Sequence, residues 1–314
     1  MSLDTDRFQR INGKKANFDV IYSQPDPREY YRVLGGLDYV IPDLAKTLFR
    51  SLIEALCGDV GRAITVLDVG CSYGINAALL RYPLDIQRLS GRYASRAMQR
   101  LDTDELVELD AHYFRSWPTK TAARFVGLDS SLPALNYAQR TGLIDQAIGT
   151  DLERQGATPR DAATLRDVDL VISTGCVGYI TERTFRAIFA DRASTSMPWV
   201  ASFVLRMFPY DAIAAELATH GLVTEKLEGV TFVQRRFHSE EELRSTLELL
   251  ERRGIDPAGK ESDGLFHAEL YLSRPPVCVE RMPLRRLVSV TSGANRRYGR
   301  RYARVAPREF KLVP

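Results

Sequence analysis

The sequence predicts an α/β protein with a doubly wound, seven-stranded, mainly parallel sheet whose last strand is antiparallel. From about residue 61 to residue 276, short β-branched runs alternate with amphipathic stretches, the pattern of βαβ units with parallel strands. Such crossovers are right-handed, so helices cover both faces of the sheet. Composition agrees, because 45% hydrophobic and 26% charged residues suit a folded chain of 314 residues.

Residues 1–60 are predicted to form an N-terminal helical or lid segment. The stretch "PDLAKTLFRSLIEAL" has apolar residues at the helical period. The preceding "PDPREYY" is prone to turns because of its prolines and is a candidate hinge. The N-terminus lacks the apolar region of a secretory signal, so we expect a cytoplasmic protein.

Residues 61–276 carry the predicted sheet. It opens with "AITVLDVG", typical of a buried strand, and "INAALL" then begins a helix. The other six strand-like runs are "ARFVGLD", "AIGTD", "DVDLVIST", "WVASFVLRMF", "VTFVQRRF" and "LFHAELYLSRPP". The last run alternates apolar and polar residues and ends in two prolines, which predicts an antiparallel strand at the edge of the sheet.

Two stretches depart from this alternation. About forty residues, 81–121, separate the first sheet helix from the next strand, and so long a connection is often a lid or binding insertion.

The tail, 277–314, is basic: from Arg281 onward it has ten Lys or Arg and one acid, Glu309. The stretch from Arg281 onward carries +9 and the rest of the chain −6, since the whole carries +3. A tail that docks on the protein's own acids is preferred over one that binds an acidic partner, an anionic ligand or nucleic acid.

The segment "DVGCSYG" follows the first predicted strand and turns into a helix. Gly70 and Gly74 permit a sharp turn and a close approach of a ligand to the backbone. A phosphate is disfavoured as that ligand, because the turn has neither a Gly-Lys-Ser/Thr sequence nor any Lys or Arg. Asp68 instead favours a cationic group.

Acidic and small polar residues end the next strand-like runs. Asp129 has two oxygens that can accept hydrogen bonds from vicinal ribose hydroxyls. Asp151 follows the third run, and Ser173 and Thr174 end the fourth. Open α/β sheets bind their ligands in the crevice outside the carboxyl ends of the strands, so we expect these residues to meet there.

In this order, the four segments resemble the class I S-adenosylmethionine-dependent methyltransferases, over about residues 65–206. The resemblance implies a Rossmann-like sheet and S-adenosylmethionine as cofactor, with S-adenosylhomocysteine as product. It implies that the glycine turn holds the methionine part of the cofactor and that Asp68 partners its amino group. Asp129 would then hold the ribose, and Asp151 with Leu152 the adenine. Ser72 departs from the family's motif, since it replaces the middle glycine.

The residues expected to bind the cofactor on this basis are Asp68, Gly70, Cys71, Ser72, Gly74, Asn76, Asp129, Ser130, Asp151, Leu152, Ser173, Thr174 and Tyr22. Candidate substrate-binding residues are Tyr30, Tyr31, Tyr39, Tyr113 and Trp117. Candidate bases are Tyr179, His238 and His267. For each of these aromatic and histidine side chains taken singly a structural role is preferred, although the aromatic set is expected to include a few lid residues. An amine acceptor that is bound neutral would need no strong base.

The expected reaction is methyl transfer to an N, O or C atom of a small molecule by in-line substitution, in bacterial specialised metabolism. The sequence after the fourth strand, "STGCVG", is not the N/D-P-P-Y/F tetrapeptide of DNA amino-methyltransferases. Two alternatives stay open. One is a methyltransferase that holds RNA or protein through the basic tail, and the other is a non-catalytic module that binds the cofactor.

Other partners are constrained by composition. The four cysteines and four histidines are scattered without metal-ligand spacing, so we expect free thiols and no metal. No apolar run is long enough to span a membrane, and we expect no membrane partner. Nucleic acid is disfavoured but not excluded because of the tail, and a homodimer is left open.

Overall fold

The computed structural model of the chain describes residues 19–192, 197–288, 290 and 297–314. Parts of the predicted N-terminal segment and basic tail therefore lie outside the described residues. Within the described ranges, no helix combines the length and the apolar character needed to cross a membrane.

The sheet has the predicted doubly wound, mainly parallel architecture. Its strands are β1 (Thr65–Val69), β2 (Arg124–Leu128), β3 (Gln146–Ile148), β4 (Leu170–Thr174), β5 (Trp199–Leu205), β6 (Val223–Lys226), β7 (Phe232–Arg236) and β8 (Leu265–Arg274). The first five are parallel, in the order β3-β2-β1-β4-β5. β8 joins β5 in the antiparallel sense, which confirms the predicted antiparallel last strand.

Two details of the sheet differ from the prediction. It has eight strands rather than seven, because β6 and β7 share one side of the ten-residue β8. β6 pairs with the end of β8 (Val223 opposite Arg274) and β7 with its beginning (Phe232 opposite Ala268). β8 is therefore an interior strand, and its predicted edge position was wrong. Alternation along a strand does not reveal how many neighbours the strand has.

Helices flank the sheet and precede it. Those before the sheet are α1 (Asp19–Tyr22), α2 (Arg28–Gly35) and α3 (Ile41–Val60). α4 (Ile75–Arg81) follows β1, and the insertion contains α5 (Ile86–Ala94), α6 (Arg96–Arg100) and α7 (Thr103–Arg115). The later helices are α8 (Leu132–Arg140), α9 (Pro159–Leu165), α10 (Glu182–Phe189), α11 (Asp211–Thr219), α12 (Glu240–Arg252), a 3-10 turn (Glu261–Asp263), α13 (Pro276–Arg281) and α14 (Leu284–Leu287).

The N-terminal segment and the insertion pack together around a second apolar core. Tyr31 of α2 stacks on Tyr93 of α5, with ring centroids 4.7 Å apart. Asp110 of α7 is fully buried and accepts hydrogen bonds from Arg92, from the Tyr93 hydroxyl at 2.9 Å and from the Tyr137 hydroxyl at 2.6 Å. Because Tyr137 lies on α8, this network joins the insertion to a helix of the sheet.

The described part of the basic tail folds back on the protein. It contains a hairpin, β9 (Arg301–Ala306) and β10 (Glu309–Val313). The amide of Gly299 donates to Asp38 at 2.9 Å, and the guanidinium of Arg301 donates to the carbonyl of Asp263 at 2.6 Å. The same Asp38 carboxylate accepts from Arg236 of β7 at 2.6 Å. These bonds join the described part of the tail to the loop before α3 and to the 3-10 turn.

Candidate functional site

A cleft of about 880 Å³ lies at the carboxyl ends of the parallel strands. Its walls come from the ends of β1 to β4 and from the N-terminal segment. From β1 the chain proceeds outward through β2 and β3, and β4 then returns to the other side of β1. The cleft therefore lies at the point where the strand order reverses, which is the position where open α/β sheets bind ligands.

The turn after β1 requires glycine at both of its glycine positions. Gly70 and Gly74 have φ values of 73° and 76°, in the left-handed region that favours glycine. A Cβ on Gly70 would lie 2.7 Å from the Cβ of Cys176, so that position also has no space for a side chain. Ser72, at the position of the missing middle glycine, is left-handed as well, with φ 50°. Its amide donates to the carboxylate of Asp129 at 2.8 Å, which holds this conformation in place.

Asp68 is a fully buried carboxyl at the end of β1. Its Oδ1 accepts from the Nδ2 of Asn76 at 2.9 Å, and its Oδ2 has no hydrogen-bond partner among the described residues. Burial raises the pKa of Asp68 to about 7. Asp68 does not itself line the cleft, but Asn76 does and also donates to the hydroxyl of Thr174 at 3.1 Å. A cation above Asn76 would favour the ionised form of this carboxyl.

Asp129 lies directly after β2 and faces the cleft. Its two oxygens accept from the amides of Ser72 and Ser131, each at 2.8 Å, and each oxygen has a second lone pair for a ligand. Burial raises the pKa of Asp129 above its ordinary value. The N-cap of α8 is Ser131, so Asp129 is not required as a helix cap.

Ten of the thirteen predicted cofactor-binding residues line the cleft. They are Tyr22, Gly70, Cys71, Ser72, Asn76, Asp129, Ser130, Asp151, Leu152 and Thr174. The other three, Asp68, Gly74 and Ser173, lie next to the cleft without lining it. A Cβ on Gly74 would contact Leu143 and Ala138 at 3.1 and 3.2 Å, so this glycine serves the contact between the turn and the end of α8.

Tyr73 is a site residue that the sequence reasoning missed. Its buried hydroxyl contacts the carbonyls of Ile21 and Gln24, at 2.7 and 2.9 Å, while the hydroxyl of Ser131 donates to the carbonyl of Tyr22. These bonds hold α1, with Tyr22, over the cleft. The only signal in the sequence was a tyrosine between the two glycines of the turn.

Glu153 was also missed. Its carboxylate accepts from the amide of Thr181 at 2.9 Å and from the hydroxyl of Thr184 at 2.8 Å. It thereby links the loop after β3, which carries Asp151, to the start of α10. Tyr179 lies on the segment just before α10, so Glu153 helps to fix the position of that candidate base.

The predicted substrate-binding residues divide into two groups. Tyr30 and Tyr39 line the cleft, whereas Tyr31, Tyr113 and Trp117 do not. Tyr31 packs on the insertion, and Tyr113 packs against Trp117 within it, with ring centroids 5.9 Å apart. A structural role accounts for these three side chains, because they pack in the second core and do not line the cleft. Tyr30 belongs to the same core and Tyr39 packs against it, but both also line the cleft.

Of the three candidate bases, only Tyr179 lines the cleft, with 50% of its surface exposed. His267 lies near the start of β8, and β4 and β5 separate this strand from β1. It is bonded to the hydroxyl of Thr231 at 2.9 Å, and burial lowers its pKa to about 4. His238 follows β7, and its amide donates to Glu242 at 2.8 Å. The structure therefore does not bring either histidine to the cleft.

The side chains of this cleft suit a polar ligand that carries hydroxyls and a cationic group. Within the described ranges, no three His, Cys, Asp or Glu side chains are grouped closely enough to hold a metal ion. The four cysteines are free thiols, and Cys71 and Cys278 are buried.

Comparison with models of protein families and with curated proteins gives no match. Among solved structures, the chain is similar to the plantazolicin methyltransferase BpumL in complex with SAH, with a TM-score of 0.40 and 13% identity, over 87% of this chain and 100% of that one. It is also similar to precorrin-6y C5,15-methyltransferase from Geobacter metallireducens GS-15, with a TM-score of 0.33 and 9% identity, over 68% of this chain and 80% of that one. Because these scores are low, the fold class is established by the strand order of the sheet itself.

Proposed function

We propose that the protein transfers a methyl group from S-adenosylmethionine to a small-molecule acceptor. The observation that carries this proposal is the meeting of the glycine turn, the Asp68–Asn76 pair and Asp129 at the switch point of the sheet. The turn has no basic residue for a pyrophosphate. Its neighbours are carboxylates, which suit the ammonium and ribose of this cofactor.

The residues present fit the cofactor part by part. The turn 70–74 would hold its methionine part, with Asp68 acting on the ammonium group through Asn76. Asp129 would accept from the ribose hydroxyls, and Asp151 and Leu152 would hold the adenine. When bound, this cofactor supplies an electrophilic methyl group on a sulfonium.

The protein's own contribution is to position the acceptor and to exclude water. α1 is bonded to the glycine turn through Tyr73 and to the start of α8 through Ser131, so it covers the cleft from above. Thr174 and Tyr179, at and after the end of β4, form another part of the wall. An acceptor group between these walls would be confined next to the cofactor.

A small-molecule acceptor is supported by the size of the cleft. Its volume is in the upper part of the range of about 300–1,000 Å³ that is usual for small-ligand sites. The described part of the tail is bonded to the protein's own backbone and carboxylates, which does not favour the RNA or protein alternative. The setting in bacterial specialised metabolism is proposed from the sequence resemblance alone.

The first test replaces the ribose acceptor. We expect Asp129→Asn to weaken the binding of S-adenosylhomocysteine by roughly tenfold or more, because hydrogen bonds to a charged acceptor contribute about 1.5–3 kcal/mol. Isothermal titration calorimetry measures this directly. Asp167→Asn, at an exposed position, is the matched control and should bind like the wild type. Equal affinity for both variants would refute the cofactor assignment.

A further inference from the structure

The N-terminal wall of the cleft is aromatic. Tyr22, Tyr30 and Tyr39 all line it. The rings of Tyr22 and Tyr30 have centroids 5.8 Å apart and planes at 62°, and those of Tyr30 and Tyr39 are 6.2 Å apart at 85°. Tyr30, which is 3% exposed and also packs against Tyr31 and Tyr73, meets Tyr22 and Tyr39 edge to face. Tyr22, Tyr30 and Tyr39 thus border the cleft as an edge-to-face cluster instead of a stack. We call these three residues the tyrosine cage.

The charges around the tyrosine cage favour a cation. Tyr39 is within electrostatic reach of Asp68, and Tyr22 within reach of Asp129. Arg235 also acts electrostatically on both tyrosines, and its guanidinium forms a buried two-bond pair with Glu242, at 2.9 and 2.7 Å. That arginine does not line the cleft.

The basic residues of the cleft wall lie elsewhere. Among the described residues, no lysine lines the cleft, and its two arginines are Arg154 and Arg183. Arg154 belongs to the loop after β3, where the adenine would be held, and Arg183 to the first turn of α10. Both also line a neighbouring cavity of about 390 Å³. An anionic acceptor would therefore find no basic partner in the tyrosine cage itself.

The phenol groups of the cage stay neutral. Burial raises the pKa of Tyr39 to about 12 and raises the pKa values of Tyr22 and Tyr30 well above their ordinary value. They are therefore poorly suited to remove a proton from a hydroxyl or carbon acceptor near neutral pH. Neutral rings present electron-rich faces, and aromatic cages of this kind recognise organic ammonium groups.

We infer that the tyrosine cage binds the acceptor as an organic cation, so that the acceptor of this enzyme is an amine. The inference rests on the proposed function and narrows its N, O or C acceptor to nitrogen. It needs no side chain to act as a strong base, because the ammonium proton can pass to bulk water before the acceptor is enclosed. The nitrogen lone pair would then form the N–C bond as the S–C bond of the sulfonium breaks, which gives a methylated ammonium and S-adenosylhomocysteine.

The experiment compares two probes of the same shape and different charge, choline and 3,3-dimethylbutan-1-ol, on the full chain saturated with S-adenosylhomocysteine. We expect choline to bind roughly fivefold more tightly or better, as a desolvated cation over aromatic faces should. Tyr30→Leu and Tyr39→Leu should each remove that preference, and Tyr30→Phe should keep it, because it retains the ring. Tyr113→Leu, an aromatic residue away from the cleft, is the control and should bind choline like the wild type.

Equal binding of the two probes by the wild type would overturn the inference, and so would choline binding that survives both leucine variants. The affinity for S-adenosylhomocysteine, measured on the same samples, shows whether each variant is folded. The leucine variants could also weaken the binding of S-adenosylmethionine much more than the binding of S-adenosylhomocysteine, while choline does not bind. In that case the tyrosine cage holds the cofactor's sulfonium and the inference is wrong. If S-adenosylhomocysteine itself does not bind, the proposed function fails, and the two probes are compared on the free protein.

Discussion

Asp68 illustrates how a single buried carboxyl can be prepared for a ligand. Its only hydrogen bond among the described residues comes from Asn76, and its second oxygen is unpaired. A buried acceptor without a partner usually costs about 1–3 kcal/mol. Asp68 lies behind Asn76, which lines the cleft, so a cationic group of a ligand bound against Asn76 would offset part of this cost. The raised pKa, about 7, has the same origin, since burial penalises the charged form.

This carboxyl should make cofactor binding depend on pH. A bound ammonium favours the carboxylate, so the protein must lose a proton when it binds below about pH 7. We expect the affinity for S-adenosylhomocysteine to rise between pH 5.5 and 7.5, with proton release on binding. Calorimetry in two buffers of different ionisation enthalpy measures both. Asp68→Asn should bind more weakly and lose the pH dependence, and a pH dependence that persists in this variant would assign it to another group.

The same carboxyl should lower the stability of the free protein at high pH. Its pKa is 3.8 in the ordinary state and about 7 when folded, so between these values the folded state holds a proton that the unfolded chain has lost. Stability therefore falls as the pH rises through this window. Asp68→Asn keeps the acceptor for Asn76 and removes the charge. We expect it to be more stable than the wild type at pH 8 and little changed at pH 4, as measured by urea unfolding without ligand. No gain at pH 8 would contradict the burial argument.

At the scale of elements, the position of α1 depends on a side chain from the glycine turn. α1 has only four residues and could not persist alone. The hydroxyls of Tyr73 and Ser131 fasten its carbonyls above the cleft. The turn thus performs two tasks, since its backbone faces the ligand and its tyrosine holds the cover.

Removing this attachment should loosen the cover without unfolding the sheet. We expect Tyr73→Phe to weaken the binding of S-adenosylhomocysteine by roughly fivefold, because hydrogen bonds that contribute about 1 kcal/mol are lost. Hydrogen exchange of the amides in residues 19–24 should become faster in the same variant. Tyr302→Phe in the C-terminal hairpin is the control. If amide exchange and S-adenosylhomocysteine binding in Tyr73→Phe were the same as in the wild type, α1 would be held by other contacts.

At the scale of the whole molecule, two apolar cores meet at the edge of the sheet that carries the cleft. One surrounds the sheet, and the other joins the N-terminal segment to the insertion. Asp110 lies inside the second core and bonds to Arg92, Tyr93 and Tyr137. A buried charge with these partners specifies how the insertion docks on α8.

Because its partners would be left buried and unpaired, we expect Asp110→Ala to lower the free energy of unfolding by about 3–5 kcal/mol. Chemical denaturation measures this change. The control is Asp104→Ala on the same helix. The Asp104 carboxylate is 78% exposed and paired with Arg140, so its removal should change the free energy of unfolding by less than about 1 kcal/mol. A loss of similar size in the two variants would show that the network does not stabilise the insertion.

Much of the cofactor side of the cleft could be predicted from the sequence. Asp129, Asp151 and Thr174 come directly after or at the end of strand-like runs, and parallel strands end at one edge of a sheet. Local periodicity and the order of the strands were therefore sufficient to predict that these residues lie close together. The strand β6 escaped prediction, because one exposed and three half-buried residues leave little apolar pattern.

By itself, the sequence determined the fold class and the residues at the carboxyl edge of the parallel strands, because both follow from local patterns. Only the tertiary structure decided which aromatic residues face the cleft. Tyr30 lines the cleft while its neighbour Tyr31 stacks on Tyr93, and Tyr73 reaches a carbonyl 52 residues away. A tyrosine is as suitable for a core as for a ligand site. Its role is therefore set by contacts between segments that are distant in the chain.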